Sequence, residues 1–289
     1  MTSDELSGGL SIVGNGHVTR LKWHRLRRAL ADPEFGIEAL ADGLAKGASM
    51  ELDLQVRADG GFAVLHDATL DRETLGVGPV RDRKRAELTE IRYRQSGRPL
   101  LLSEGMGQLV SGAHPHALLQ LDMKNSFDEI GVVGVAHLTT LFSEQAEHLI
   151  VSGDSTELIV ALSERMPDLQ RGIDPTDRLV ALWPRNSLAS AEAALRAEIR
   201  GPARPQMIYL AWELILEAHA AGLDLIGLCH DEGAAVDAWT YTLAQPSIGF
   251  SAKEWDQFAR LMSLKPDQIT TDEAVATEAA WYARFGRTD

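Results

Sequence analysis

Apolar and polar residues alternate without interruption from Met50 to Arg57. One side of an extended chain would carry Met50, Leu52, Leu54 and Val56, and the other side Glu51, Asp53, Gln55 and Arg57. This period of two predicts a strand over Met50–Val56 with one buried face. The sequence Asp59-Gly60-Gly61 favours a tight turn, so we expect a hairpin with a second strand at Phe62–His66.

Along the rest of the chain, short apolar runs alternate with segments of helical period. The runs predict strands at Leu21–Arg25, Leu118–Met123, Leu149–Ser152, Leu169–Ile173, Met207–Trp212, Val236–Thr242 and Gln268–Thr271. The helical segments are Gly36–Lys46 with Gly47 as its stop, Phe127–Phe142, Ser155–Arg165, Ser187–Ile199, Leu214–Ala221, Ser251–Met262 and Asp272–Phe285. This alternation predicts an α/β fold with a parallel sheet covered by helices. Two apolar runs lie between residues 223 and 242, where one strand is expected, and the pattern leaves open which of them is the strand.

Length and composition narrow the fold and the class of partner. At 289 residues, without internal repeats or a G-x-G-x-x-G after an early strand, the chain fits a closed (β/α)8 TIM barrel of one domain spanning residues 1–289. The single cysteine, Cys229, excludes an internal disulfide and fits a cytoplasmic protein. We expect no secretory signal and no transmembrane segment. Asp and Glu outnumber Lys and Arg by 42 to 28, which argues against nucleic acid as a partner.

Polar residues recur at the ends of the predicted strands. Glu51 and Asp53 share one side of their strand, about 7 Å apart. Two buried carboxylates are costly unless a cation lies between them, and oxygen ligands suit Mg²⁺ or Ca²⁺. Asp122 and Lys124 also share a side, at the carboxyl end of a strand, where barrel enzymes place their chemistry. For Glu51 and Asp53 alone, an edge strand with a solvated face is the alternative interpretation.

Together these residues resemble the signature of the glycerophosphodiester phosphodiesterase family. The family pattern runs H-R-G, P-E-N-T, E-x-D, a D-G turn and then V-x-x-H-D-x-x-L-x-R-T-T-x-G-x-G. The matching residues are His24-Arg25, Pro33-Glu34, Glu51-Leu52-Asp53, Asp59-Gly60, His66-Asp67, Leu70, Arg72, Thr74, Gly76 and Gly78, and Val64 lies one position closer to His66 than the pattern has it. Later matches are Asp122-Met123-Lys124, Trp239-Thr240 and Thr271-Asp272. The resemblance spans about residues 21 to 273, and its most specific part is the run from Glu51 to Gly78.

The resemblance implies a TIM barrel that hydrolyses glycerophosphodiesters to glycerol phosphate and an alcohol with the help of one divalent cation, Mg²⁺, Ca²⁺ or Mn²⁺. By residue-by-residue transfer, Glu51, Asp53 and Asp122 would be the metal ligands. His24 and His66 would be the catalytic acid–base pair, and Arg25 and Lys124 would bind the phosphate. Glu34, Asp67 and Trp239 would line or support the pocket. The expected partner is a small glycerophosphodiester or a lysophospholipid-like molecule, and homo-oligomerisation is left open.

Two departures from the family pattern concern the shape of the pocket. Leu26 replaces the glycine of H-R-G, which predicts a differently shaped first loop, and Phe35 replaces the asparagine of P-E-N-T. A smaller change is that the third-strand acid is Asp122 rather than the commoner Glu. Two alternative functions stay open: a transphosphorylating, phospholipase D-like lyase that releases a cyclic phosphate, and a barrel that binds a phosphorylated ligand without turnover.

Overall fold

A computed structural model of the chain describes residues 7–182 and 188–285. Its strands are β1 (Ser11–Gly14), β2 (His17–Trp23), β3 (Ser49–Val56), β4 (Phe62–Val64), β5 (Leu118–Met123), β6 (Leu149–Gly153), β7 (Gln170–Ile173), β8 (Met207–Ala211), β9 (Ala235–Trp239) and β10 (Gln268–Thr271). Its α-helices are α1 (Ile37–Lys46), α2 (Arg85–Leu88), α3 (Gly107–Val110), α4 (Phe127–Phe142), α5 (Thr156–Arg165), α6 (Thr176–Leu182), α7 (Leu188–Ile199), α8 (Trp212–Ala220), α9 (Leu225–Asp231), α10 (Ala252–Ser263) and α11 (Ala274–Phe285).

The strands form one sheet in the order β1-β2-β10-β9-β8-β7-β6-β5-β3-β4, and a further pairing of β2 with β3 closes the ring. β1 and β4 are antiparallel additions at the two ends of this order. The remaining eight strands alternate with helices along the chain. The protein is therefore an α/β protein with the (β/α)8 TIM-barrel fold, as the sequence predicts.

Local sequence explains where several helices begin and end. Ser126 accepts a hydrogen bond from the backbone N–H of Glu129, and the Glu129 carboxylate accepts one from the Ser126 N–H, so α4 begins with a capping box. Gly47 ends α1 in the left-handed conformation, with φ of 79°, which glycine adopts without steric cost. Both helix ends therefore lie where the sequence predicts them.

Three sequence expectations need correction or completion. β3 is buried along all eight of its residues, so both of its faces are buried and the alternative of an edge strand with a solvated face is wrong. The first strand ends at Trp23 rather than Arg25, because residues 24–26 form a 3₁₀ turn. Of the two apolar runs between 223 and 242, the second forms strand β9, whereas the first lies mostly in helix α9. The predicted helix start at Ser187 lies outside the described residues.

The chain divides into two compact units, which are described separately below. The middle unit comprises Arg25–Arg27 and Pro33–Gly172, and the terminal unit comprises the residues up to His24, Arg28–Asp32 and the residues from Ile173. In the terminal unit, Lys22 and Asp237 form a buried ion pair with Nζ and Oδ2 2.6 Å apart. Over the described ranges, no helix is long and apolar enough to cross a membrane.

Candidate active site

Three acidic side chains of the middle unit meet at the carboxyl ends of β3 and β5. In the parallel register, Asp53 lies directly beside Asp122, and Glu51 lies two residues before Asp53 on the same side of β3. One carboxylate oxygen from each of the three residues lies within 4.8 Å of the other two. Glu51 and Asp53 are buried, with 5% and 2% of their surface exposed. The three predicted metal ligands therefore lie close enough to contact a common ion.

The Asp122 carboxylate is held from both sides. The Ser152 hydroxyl donates to Asp122 Oδ1 at 2.6 Å, and Lys124 Nζ lies 2.5 Å from Oδ2. Ser152 is the register partner of Asp122 on β6 and in turn accepts a hydrogen bond from the Gln120 amide at 2.8 Å. Because each oxygen has a fixed donor, the orientation of this short acid is set before any ion binds.

Two basic side chains face the carboxylates. Lys124 Nζ lies 2.8 Å from Asp53 Oδ1, and Arg25 Nε lies 3.4 Å from Asp53 Oδ2. Burial would lower the pKa of Lys124, but the charges of Asp122 and Asp53 outweigh burial and hold this pKa above its ordinary value. Burial also lowers the pKa of Arg25, but the nearby carboxylates, of which Asp53 has the largest effect, raise this pKa above its ordinary value. Both groups are therefore fixed positive charges beside the acidic cluster.

The donor set fits a hard divalent cation. Asp53 Oδ2 is buried and accepts no hydrogen bond from residues 7–182 and 188–285. The three carboxylates against the two basic groups leave one negative charge in excess. A buried carboxylate oxygen without a donor is costly, whereas an ion bound to oxygen ligands would satisfy it. Glu51, Asp53 and Asp122 are thus the residues that could hold such an ion.

The first loop carries Arg25 to this cluster in a strained conformation. The backbone N–H of Arg25 donates to Glu51 Oε2 at 2.8 Å, and its guanidinium donates to Glu34 Oε1 at 3.2 Å. Leu26 has φ of 62° and Phe35 has φ of 55°, in the left-handed region that glycine and asparagine tolerate best. At Leu26 and Phe35, a buried apolar residue therefore occupies a backbone conformation that suits the glycine or asparagine of the family pattern.

His66 lies on a loop after β4 that is anchored at several points. Its Nδ1 lies 3.0 Å from Asp67 Oδ1, and Asp67 also accepts two hydrogen bonds from Arg72, at 2.6 and 2.7 Å. The Arg72 hydrogen bonds are the main reason that the pKa of Asp67 is well below its usual value. The buried Glu73 carboxylate accepts the backbone N–H groups of His66 and Asp67, and the Gln55 amide donates to the His66 carbonyl at 2.8 Å.

His24 belongs to the terminal unit and has its own carboxylate. Its Nδ1 lies 2.8 Å from Asp272 Oδ1, and the other oxygen of Asp272 accepts a hydrogen bond from Thr242 at 3.2 Å. A carboxylate can only accept, so Nδ1 carries the proton in both His24 and His66, which leaves Nε2 of each ring for other chemistry. Trp239, at the end of β9, is partly exposed, and its buried indole N–H has no hydrogen-bond partner.

The sequence predicts the charged groups of the site but not most of the residues that hydrogen-bond to them or to their loops. Ser152, Gln55 and Glu73 have no short motif that marks them, because their roles depend on strand register and on the path of a loop. Asp272 is the exception. It is the acid of the closing T-D motif, so the motif could have identified it as the partner of His24.

Comparison with known protein families identifies the class of enzyme. Residues 24–151 match the model of the glycerophosphoryl diester phosphodiesterase family, a segment that contains both histidines and all three acids described above. Over this segment the chain is similar to the glycerophosphodiester phosphodiesterases. The match supports its assignment to the phosphoric diester hydrolases, as its sequence predicts. A comparison with curated proteins gave no match.

Solved structures of this family share the fold at low sequence identity. A glycerophosphodiester phosphodiesterase from Parabacteroides distasonis ATCC 8503 is 14% identical with a TM-score of 0.66, over 92% of this chain and 98% of that one. One from Agrobacterium tumefaciens str. C58 is 18% identical with a TM-score of 0.61, over 91% and 98%. A phosphodiesterase from Oleispira antarctica, solved in complex with the product sn-glycerol-3-phosphate, is 17% identical with a TM-score of 0.55, over 90% and 95%. These likenesses support the barrel fold.

Proposed function

We propose that this protein hydrolyses glycerophosphodiesters to glycerol phosphate and an alcohol, with one divalent cation held by Glu51, Asp53 and Asp122. The observation that carries the proposal is the convergence of these three carboxylates, with Asp53 Oδ2 buried and without a hydrogen bond. The family match and the product bound to the Oleispira antarctica enzyme support the substrate class. Mg²⁺ and Ca²⁺ are the ions that such an oxygen-rich site favours, and Mn²⁺ is a third candidate.

The basic groups would act on the phosphate. A phosphodiester anion repels nucleophiles, and its charge increases at the non-bridging oxygens as the leaving group departs. When bound, the cation would neutralise part of this charge and lower the pKa of an attacking water or hydroxyl. Arg25 and Lys124, which already lie beside the carboxylates, would stabilise the same charge through fixed hydrogen-bond donors.

His24 and His66 would share the proton transfers. One Nε2 would remove the proton of the nucleophile. The other ring would enter the reaction protonated at both nitrogens and give its Nε2 proton to the departing oxygen, which histidine can do near neutral pH. Asp272 and Asp67 support this assignment because each fixes the ring through Nδ1. Glu34 would hold Arg25, and Trp239 would line the pocket. Cytoplasmic location remains a prediction, to be tested by cell fractionation, and homo-oligomerisation stays open, to be tested by light scattering.

The decisive variant is His66→Ala, with His219→Ala as a matched control, because His219 is an exposed residue on α8. We expect His66→Ala to lower kcat on glycerophosphocholine by about 10²- to 10⁴-fold, the usual contribution of a general acid or base. His219→Ala should retain the wild-type rate. Near-normal turnover by His66→Ala would rule out the acid–base assignment.

Product analysis then separates hydrolysis from the lyase reaction. Hydrolysis predicts sn-glycerol phosphate that contains oxygen from labelled water. A stable, unlabelled cyclic phosphate would contradict direct hydrolysis and favour the transphosphorylating alternative. Full activity in EDTA would remove the cation from the proposal.

A further inference from the structure

A cavity of about 320 Å³ opens in the middle unit. Its lining residues are Gln55, Ala68, Thr69, Pro79, Arg81, Asn125 and Glu129. This volume lies at the small end of the range for ligand pockets, about 300 to 1,000 Å³. The cavity therefore has room for a compact group rather than for a long chain.

Three residues that line the cavity lie within two positions of candidate catalytic residues in the sequence. Gln55 follows Asp53 by two residues on β3, Asn125 follows Lys124, and Ala68 follows His66 by two residues. Hydrogen bonds hold these walls together: the Gln55 amide donates to the His66 carbonyl at 2.8 Å, and Asn125 Oδ1 accepts the Val56 N–H at 2.7 Å. The cavity is thus on the His66 side of the cluster.

A second cavity of about 320 Å³ is lined by apolar residues such as Phe35 and Leu101, and its lining is not close in sequence to the candidate catalytic residues. None of its lining residues lies within two positions of the metal ligands, the two histidines, Arg25 or Lys124. Position along the chain therefore relates the polar cavity, but not this apolar one, to the candidate catalytic residues.

The polar cavity carries two opposite charges that the protein itself does not neutralise. Arg81 lies on one wall and Glu129 on another, both exposed. Within residues 7–182 and 188–285, neither forms an ion pair, although Glu129 Oε2 accepts hydrogen bonds from Ser126. Amide groups of Gln55 and Asn125 supply further polarity, so a ligand with both an ammonium and a carboxylate group would match this lining.

We propose that this cavity binds the alcohol half of the diester and that it favours a short zwitterionic amino alcohol of the serine type. Its ammonium would pair with Glu129 and its carboxylate with Arg81. Because the cavity is next to His66, this assignment makes His66 the residue that protonates the departing alcohol oxygen as the P–O bond breaks. The inference rests on the proposed function and specifies its leaving group.

The test compares glycerophosphoserine, glycerophosphoethanolamine and the butyl ester of glycerol phosphate. In wild type, kcat/KM should be highest for the serine ester. Arg81→Gln should lower the serine-to-butyl ratio of kcat/KM about fivefold, or about 1 kcal/mol, the upper end for exposed ion pairs. Glu129→Gln, which preserves the acceptor of the α4 capping box, should lower both the serine-to-butyl and the ethanolamine-to-butyl ratios.

Two charge-matched controls are available nearby. Lys84→Gln and Asp128→Asn remove the same charges from exposed residues that do not line the cavity, and they should keep all ratios within about twofold of wild type. If wild type cleaves the diesters but both cavity variants preserve its ratios, the cavity assignment is wrong and the proposed function stands. If wild type cleaves none of the esters, the proposed function fails and this inference fails with it.

Discussion

Replacing Ser152 with alanine tests whether the metal site is organised by its surroundings. The Ser152 hydroxyl is 2.6 Å from Asp122 Oδ1 and 2.8 Å from the Gln120 amide, and only 2% of the residue is exposed. Without the hydroxyl, Asp122 loses a fixed donor and gains rotational freedom. The remaining acids, Glu51 and Asp53, are unchanged. The variant should therefore bind the cation more weakly while it keeps all three ligands.

The size of the effect follows from these contacts. Loss of a group that orients a metal ligand lowers metal affinity by about 10- to 100-fold. We expect about tenfold, equivalent to about 1.4 kcal/mol, because Lys124 still holds Asp122 Oδ2. Hydrogen bonds to charged groups contribute about 1.5 to 3 kcal/mol, so the metal-free variant should also unfold more easily by about this amount.

Calorimetric titration with Mn²⁺ measures the loss of metal affinity, and urea unfolding in EDTA measures the loss of stability of the metal-free variant. Ser163→Ala is the matched control, since its hydroxyl bonds only the Val160 carbonyl within α5. It should bind Mn²⁺ as tightly as wild type. Equal Mn²⁺ affinity of Ser152→Ala and wild type would refute the claim that Ser152 positions Asp122.

Three further predictions concern stability. Asp237→Asn removes the carboxylate that pairs with the buried Lys22 charge and should lower the free energy of unfolding by about 3 to 5 kcal/mol. Asp42→Asn, at an exposed ion pair, should cost less than about 1 kcal/mol, and equal losses in urea unfolding would contradict this. Burial lowers the pKa of His137, so the unfolded chain binds a proton at this residue more readily than the folded chain does. The free energy of unfolding should therefore fall as pH drops from about 7.5 to about 5.5, and His137→Gln should reduce that fall. An unchanged pH dependence of the free energy of unfolding in this variant would refute the assignment. Leu26→Gly relieves about 1 to 2 kcal/mol of backbone strain in the left-handed region but removes a buried side chain that contributes about 2 to 5 kcal/mol. We therefore expect a lower free energy of unfolding, and a more stable variant would show that the strain is the larger effect.

The sequence was most informative where a local pattern and its tertiary environment agree. The apolar run Leu118–Met123 and the capped segment Phe127–Phe142 have the bounds predicted for β5 and α4. The alternation along β3 left a solvated face open as an alternative, because a period of two does not distinguish solvent from a polar barrel interior. The apolar run at 223–228 was ambiguous because short apolar runs suit both helix and strand, and in the structure it lies mostly in α9.

The residues of the candidate site also differ in whether the sequence alone predicts them. The resemblance to the family predicted Glu51, Asp53 and Asp122 together, and the β3–β5 register, which sets Asp53 beside Asp122, accounts for their proximity. Ser152 and Glu73 could not, because the first depends on the β5–β6 register and the second on how a loop folds back on itself.

The central claim, that three carboxylates of β3 and β5 hold one catalytic cation, is tested most directly by anomalous X-ray scattering from crystals soaked in Mn²⁺. The account predicts a single strong anomalous peak within bonding distance of oxygens from Glu51, Asp53 and Asp122. A saturating soak that leaves these three side chains without a peak, or places the ion elsewhere, would contradict it.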